Sequence, residues 1–221
     1  MRDEGSQPAV YETVFGKKFF EMVSSDSERA ENFNRAMNTG TTSLSTIFAH
    51  YNFSNCFTVT DVGGGIGEFL HPLLEKFPGI KTGVLFDLEK VISEAKKVAG
   101  SRNEGRVEYV GGNFFGDVPM AECFTLRCIL HDWNDTDALR ILEAVRRKMN
   151  ATSKMVVITL LLREDHFSLN YLVDFWMAMA FSSKERTLGE FTALFKKSGL
   201  KVNRVIHTAS PFSLLEVVID K

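Results

Sequence analysis

Two short stretches of this chain hold residue types that can do chemistry together. The first is Asp61-Val62-Gly63-Gly64-Gly65-Ile66-Gly67, which follows an apolar, β-rich run. Glycines there permit a tight turn with positive φ and let backbone N–H groups approach a ligand that a Cβ would hold off. A dinucleotide fingerprint needs GxGxxG, but counting from Gly63 gives Gly65 and then Glu68 where the third glycine belongs. A carboxylate at that place repels a pyrophosphate, so the turn favours a cofactor that puts an amino acid and a sulfonium there; a merely structural tight turn is the alternative. Asp87 closes the run Gly83-Val84-Leu85-Phe86, about 20 residues beyond the glycines, where an acid can accept both ribose hydroxyls of an adenosine group. Taken alone, an acid at a strand end can equally be a helix N-cap. The second stretch is Ile129-Leu130-His131-Asp132-Trp133-Asn134-Asp135. Its histidine directly follows an apolar run and so falls at the carboxyl edge of a sheet, where open α/β folds bind ligands. A lone histidine can be structural, but beside a cofactor turn it is a candidate general base.

The elements that must position these residues follow from periodicity. Short β-rich runs alternate with helix-period segments from Phe57 onward, the pattern of βαβ units and a mostly parallel sheet. Strands are expected over Phe57 to Val62, Thr82 to Phe86, Val107 to Val110, Phe124 to Leu130 and Met155 to Leu162. Helices are expected over Ile66 to Phe77, Val91 to Ala99 and Asp135 to Met149. Two further helical segments, around Leu169 to Ala180 and Leu188 to Ser198, precede strands at Val202 to His207 and Leu214 to Ile219. The short link through Pro211 is too brief for a helical crossover, so these last strands should form an antiparallel hairpin. The expectation is a Rossmann-like α/β domain: a mostly parallel seven-stranded sheet ending in an antiparallel hairpin, with helices on both faces. Residues 1–10 read as a disordered lead, 11–52 as short helices packing on the larger unit, and 53–221 as that unit. Within the helical segment Val14, Phe15, Phe19, Phe20, Met22, Val23, Phe33, Met37, Leu44, Ile47 and Phe48 recur at helical spacing.

Composition narrows the partners. A chain of 221 residues with 44% hydrophobic content can bury one sizeable α/β core plus a small appendage. Its formal charge of -2 gives no basic field for nucleic acid or anionic lipid, which points to a small-molecule ligand. Cys56, Cys123 and Cys128 lack CxxC spacing and read as buried free thiols rather than a zinc site or a disulfide framework, so no metal is expected. The polar first residues and the absence of any run near the roughly 18 to 20 apolar residues that span a bilayer make a cytoplasmic setting the default.

Five segments in this order, DVGGGIG, GVLFDLEKVI, VEYVGGNFFGDVP, LRCILHDWND and SKERTLGEF, resemble the S-adenosylmethionine-dependent small-molecule O-methyltransferases. That family includes plant caffeate and flavonoid enzymes and animal acetylserotonin O-methyltransferase, and the resemblance extends from Tyr11 to Lys221. It implies a class I methyltransferase fold and a cofactor site at Asp61, Gly63 and Gly65, with Asp87 and the adjoining Leu88 at the ribose. Asn113 stands where the family usually has an Asp on the adenine amino group, Phe114 would lie against the adenine, and Arg127 falls where a Lys or Arg contacts the cofactor. His131 matches the catalytic base, Asp132 follows it as in the family, and Glu185 matches an acid that orients the imidazole. Without the resemblance, Lys184-Glu185-Arg186-Thr187 reads as surface charge ahead of a helix with Thr187 as N-cap. The implied reaction is methyl transfer to a hydroxyl of a small, aromatic acceptor. Trp176, Met177 and Phe181 lie on or just after the helix that lines the acceptor pocket in the family, although such residues at helical spacing also suit an ordinary core.

Two departures stand out. Thr159 occupies the place of a second acid that in much of the family follows the fifth strand, and Arg163 the place of a proline. Family members are homodimers through an N-terminal helical domain, and this chain begins near the linker into the catalytic domain. A cofactor-binding module with little or no catalysis is therefore the alternative reading.

Overall fold

In the computed structural model the described residues are 9–17, 19, 22, 25, 26, 28, 41–163, 170–181 and 183–221. The lead at 1–8 and the helical periodicity through Phe20, Val23, Phe33, Met37 and Leu169 lie outside them. Helices α1 (Val10–Phe15) and α2 (Thr41–His50) precede the sheet, and β1 (Thr58–Val62), α3 (Leu70–Lys76), β2 (Thr82–Asp87), α4 (Glu89–Ala99) and β3 (Val107–Gly111) follow. Next come β4 (Cys123–Arg127), a 3-10 turn at Leu130–Asp132, α5 (Asp135–Lys148), β5 (Lys154–Leu162) and α6 (Asn170–Phe181). The chain ends with β6 (Arg186–Thr187), α7 (Leu188–Lys197), β7 (Leu200–His207) and β8 (Phe212–Ile219).

The main sheet runs β3-β2-β1-β4-β5-β8-β7, with β6 pairing off this path onto β5. The first five strands are parallel, while β8 lies antiparallel between β5 and β7. This is the Rossmann-like α/β architecture expected from the element pattern, closed by the expected antiparallel hairpin. Alternation along β5 shows why both faces need covering: Met155 and Val157 enter one core with Ile141, Val145, Phe191 and Phe195 from α5 and α7. Val156 and Ile158 enter the other, with Ile47, Phe48, Leu70, Leu73, Leu74, Ile92 and Ala95 from α2, α3 and α4. The order places β1 between β2 and β4, so the carboxyl ends of these neighbours form one edge.

The structure departs from periodicity where backbone conformation interrupts it. The helix expected from Ile66 begins only at Leu70, because Gly67 has φ +88 and cannot join a right-handed helix. Strand β4 stops at Arg127 rather than Leu130, because Cys128 takes φ +55 and turns the chain. The two-residue β6, too short to show an alternation, was not read from sequence; its pairing with Leu161 and Leu162 carries the stretch that reads as surface charge into the sheet edge.

Candidate active site

The cofactor half of the site is built from backbone. Gly63, Gly65 and Gly67 all have positive φ, at +71, +60 and +88. A Cβ at Gly63 would stand 2.5 Å from Ile129 Cδ1, and one at Gly64 would stand 2.6 Å from Asp61 Oδ2. At Gly65 a Cβ would meet nothing within 4 Å, so this glycine faces open space. The Gly65 N–H donates to Asp87 Oδ2 at 2.8 Å, and the Leu88 N–H donates to Asp87 Oδ1 at 2.7 Å. Asp87 thus reads both as the anchor of the glycine turn and as an acceptor with lone pairs left on each oxygen. Leu88 is the N-cap residue of α4 and its side chain is exposed.

Asp61 lies beneath the same turn and is buried. Its Oδ1 accepts from Thr125 Oγ1 at 2.6 Å, and its Oδ2 has no partner. Burial pushes its carboxyl up to about 6, against opposing effects of Thr125 and the Arg127 charge. Arg127 ends β4 with a buried Nε that is likewise without a partner. Beyond β3, Asn113 is exposed and its Oδ1 accepts the Phe115 N–H at 2.9 Å, closing a local turn. Phe114 is half-buried, with its ring edge-on to Trp133 at 5.7 Å between centroids.

The half around His131 is built from side chains. His131 sits in the 3-10 turn after β4, and its Nδ1 lies 2.7 Å from Glu185 Oε1. Asp132 Oδ1 lies 3.6 Å from His131 Nε2. Burial alone would lower the imidazole pKa, but Glu185 and Asp132 outweigh it and raise the value above the ordinary histidine range. The Nδ1 proton therefore belongs on the side of Glu185, which leaves Nε2 as the nitrogen able to take a proton. Glu185 is itself buried, donates its N–H to Asp174 Oδ1 of α6 at 2.8 Å, and keeps an unpartnered Oε2. Thr159 is buried in β5 with its hydroxyl donating to the Leu160 carbonyl at 3.3 Å.

The two halves meet at Ile129, whose side chain fills the space over Gly63 two residues before His131. The structure thus brings Asp61, Gly63, Gly65, Asp87, Arg127, His131, Asp132 and Glu185 to one sheet edge. The acceptor candidates are placed differently from one another. Met177 is buried in α6, whereas Trp176 is 45% exposed and packs edge-on against Phe19 at 5.2 Å, as Phe181 does at 5.4 Å.

Sequence reading missed Arg186. It is buried, and its guanidinium reaches the carbonyls on both sides of His131 together with Asp135. No periodicity marks it, because an arginine in a polar tetrapeptide before a helix has the pattern of solvated charge. The capping reading of Thr187 did find its element: Thr187 and Glu190 form a reciprocal capping box at the start of α7. All three cysteines are free. Among the described residues no group of three or more His, Cys, Asp or Glu side chains is placed to hold a metal, and no helix is long and apolar enough to cross a membrane.

A seven-strand sheet of this order, with a glycine turn after β1 and an acid after β2, defines a Rossmann-like methyltransferase fold. Residues 1–201 match the O-methyltransferase domain family, and the chain belongs to that family. It is 33% identical over 213 residues to the mitomycin biosynthesis 6-O-methyltransferase of Streptomyces lavendulae, a match covering 95% of this chain and 61% of the relative. The solved methyltransferase of calicheamicin biosynthesis, in its S-adenosylhomocysteine-bound form, is similar with a TM-score of 0.85 and 32% identity, covering 96% of this chain and 64% of that one. An O-methyltransferase of neocarzinostatin biosynthesis, solved with S-adenosylmethionine and 2-hydroxy-5-methyl naphthoic acid, gives a TM-score of 0.79 and 29% identity, covering 95% and 63%. The chain therefore spans about three fifths of the length of the relatives it matches.

Proposed function

We propose that this chain binds S-adenosylmethionine over the 61–67 turn and methylates a hydroxyl of a small aromatic acceptor, with His131 as general base. One observation carries the reading: Ile129 packs on Gly63 while His131, two residues on, is held through Nδ1 by Glu185, so the cofactor turn and the base share one edge. The residues suit the cofactor, since the Gly65 position is open and the Asp61 and Arg127 polar atoms are buried without partners. Asp87 would take the ribose hydroxyls, Phe114 the adenine face, and Asn113 the adenine edge. When bound, the cofactor supplies a methyl group on a sulfonium, which is a good leaving group.

The protein's own part is alignment and proton removal. A protonated phenolic oxygen is a weak nucleophile, and His131 Nε2 would take its proton as attack proceeds. Glu185 holds the ring orientation and stabilises the imidazolium, with Asp132 adding to that stabilisation. Thr159 brings no carboxylate, so these two acids carry that task. Holding the acceptor oxygen in line supplies much of the remaining acceleration. The naphthoic acid ligand of the neocarzinostatin relative supports an aromatic acceptor. We also take residues 53–221 as the cofactor domain and 11–52 as a helical segment packed on it, a division supported by Ile47 in the core and Phe19 against α6.

Calorimetry with S-adenosylmethionine and with NAD, followed by a methyl-transfer assay on a panel of phenols and hydroxynaphthoates, tests the proposal. Binding of S-adenosylmethionine and turnover of a panel member are expected; binding of NAD alone contradicts the reading. Cofactor binding with no turnover favours the second reading, a binding module, for which the Thr159 substitution is the supporting observation.

A further inference from the structure

Among the described residues Arg186 is the largest of the fully buried side chains, at 1% exposure, and it follows Glu185 directly. Its Nη1 donates to the Leu130 carbonyl at 2.6 Å and its Nη2 to the Trp133 carbonyl at 2.8 Å. Nε and Nη2 also reach Asp135 Oδ1 at 3.1 and 2.9 Å. The two carbonyls flank His131, one residue before it and two after. Besides the Arg186 contacts, the turn is closed by the Asp132 N–H on the Ile129 carbonyl at 3.1 Å and a long Trp133 N–H bond to Leu130 at 3.4 Å. Such a turn has no helical or sheet ladder to fix its tilt, and a planar guanidinium with donors in a rigid fork can do so.

The neighbouring acid acts on the other end of the same residue. Glu185 takes the imidazole through Nδ1, while Arg186 takes the main chain that carries it. Both residues are set in place by the Arg186 and Thr187 pairing with Leu161 and Leu162, by Asp174 accepting the Glu185 N–H, and by the capping box at Thr187. The guanidinium lies 5.9 Å from the ring centroid of the buried Phe191. Asp135, the ion-pair partner, is 55% exposed, so the charge pairing is screened and the carbonyl contacts are the buried part of the arrangement.

We infer that Arg186 is the positioning residue of this site: it fixes the 130–133 backbone so that Glu185 and His131 meet in one geometry, and its ion pair with Asp135 is secondary. This rests on the proposed role of His131 as base. The consequence is that Arg186 acts on the rate of proton removal and not on cofactor affinity.

The test compares Arg186→Met, Arg186→Lys and Asp135→Asn in the full chain, with two independent readouts. The first is the titration and tautomer of the His131 ring by 15N NMR, which needs no turnover. The second is kcat and KM for methyl transfer to whichever panel acceptor the parent chain uses. Arg186→Met is expected to lower kcat on the order of 100-fold with the KM for S-adenosylmethionine changed less than about threefold, and to return the His131 titration toward its ordinary value. Arg186→Lys, with a single ammonium that cannot reach both carbonyls and Asp135, should recover only part of either effect; it also carries the test if the methionine variant does not fold. Asp135→Asn keeps both carbonyl contacts and should leave the His131 titration elevated. The inference is overturned if Arg186→Met or Arg186→Lys leaves the titration and kcat as in the parent, or if Asp135→Asn reproduces the full loss. Absence of turnover in the parent would count against the proposed reaction, while the ring titration would still decide the role of Arg186.

Discussion

The two halves of the candidate site are made of different materials. The glycine turn and Asp87 form a backbone device, in which main-chain N–H groups, left-handed glycines and an acid on the adjoining strand hold each other within about 20 residues. The His131 side is a side-chain device assembled from positions 54 apart in sequence, with Glu185 on the imidazole and Arg186 on the turn. A backbone device should fail through shape, losing the ligand outright. A side-chain device should fail by degrees, losing rate and shifting a titration while the ligand still binds.

The largest effect that contrast predicts is at Gly63. Gly63→Val puts a branched side chain into Ile129 at a positive φ, so S-adenosylmethionine binding should fall by more than about 100-fold in calorimetry. Gly65→Ala meets no protein atom within 4 Å, so its loss comes from the conformational cost of about 1–2 kcal/mol and from a Cβ in the space the cofactor would take, and should stay below the loss at Gly63. Equal losses at the two positions would show that steric fit at Ile129 does not distinguish them.

On the other side, Glu185→Gln keeps a hydrogen-bond acceptor but removes the charge that raises the His131 pKa. A base must be unprotonated to act, so the acid limb of the rate profile in the parent should lie above the ordinary histidine value near 6.5. In Glu185→Gln that limb should move to lower pH, with kcat down on the order of 10-fold to 100-fold and cofactor affinity unchanged. A limb moving to higher pH, or a loss of cofactor binding, would break the distinction between the halves.

How much of this was legible in the sequence follows the same division. Glycine conformation and strand-end acids are local properties, so the turn, Asp87 and the order of β1 to β5 could be read from residue types and spacing. His131 could be placed at the sheet edge, but Glu185 came only through resemblance and Arg186 not at all. Burial of those two depends on β6 joining β5, and a two-residue pairing leaves no periodic trace. Helix starts at Leu70 and strand ends at Arg127 were displaced for a related reason: Gly67 and Cys128 adopt positive φ that hydrophobic spacing does not record.

A smaller effect concerns Asp61, which belongs to the backbone half but carries a buried charge. Burial raises its pKa to about 6, so the folded chain holds that proton more tightly than the unfolded chain. The stability this confers is present below the unfolded value near 3.9 and is lost as pH rises through about 6. Asp61→Asn should therefore stabilise the free chain by about 2–3 kcal/mol at pH 7 and leave it unchanged near pH 4 in denaturant titrations, while weakening cofactor binding. Destabilisation at pH 7 would mean that the ionised carboxylate is better paired than its orphan oxygen indicates. The smallest expected change is at Thr187→Ala, which removes the α7 cap and should cost about 1 kcal/mol in thermal unfolding with S-adenosylmethionine affinity intact.

The central claim is that the two devices cooperate through His131, and single-turnover methyl transfer by His131→Ala with bound S-adenosylmethionine tests it most directly. The expected result is cofactor affinity within about threefold of the parent and a methyl-transfer rate lower by on the order of 100-fold or more. A transfer rate equal to that of the parent would contradict the assignment of His131 as the base.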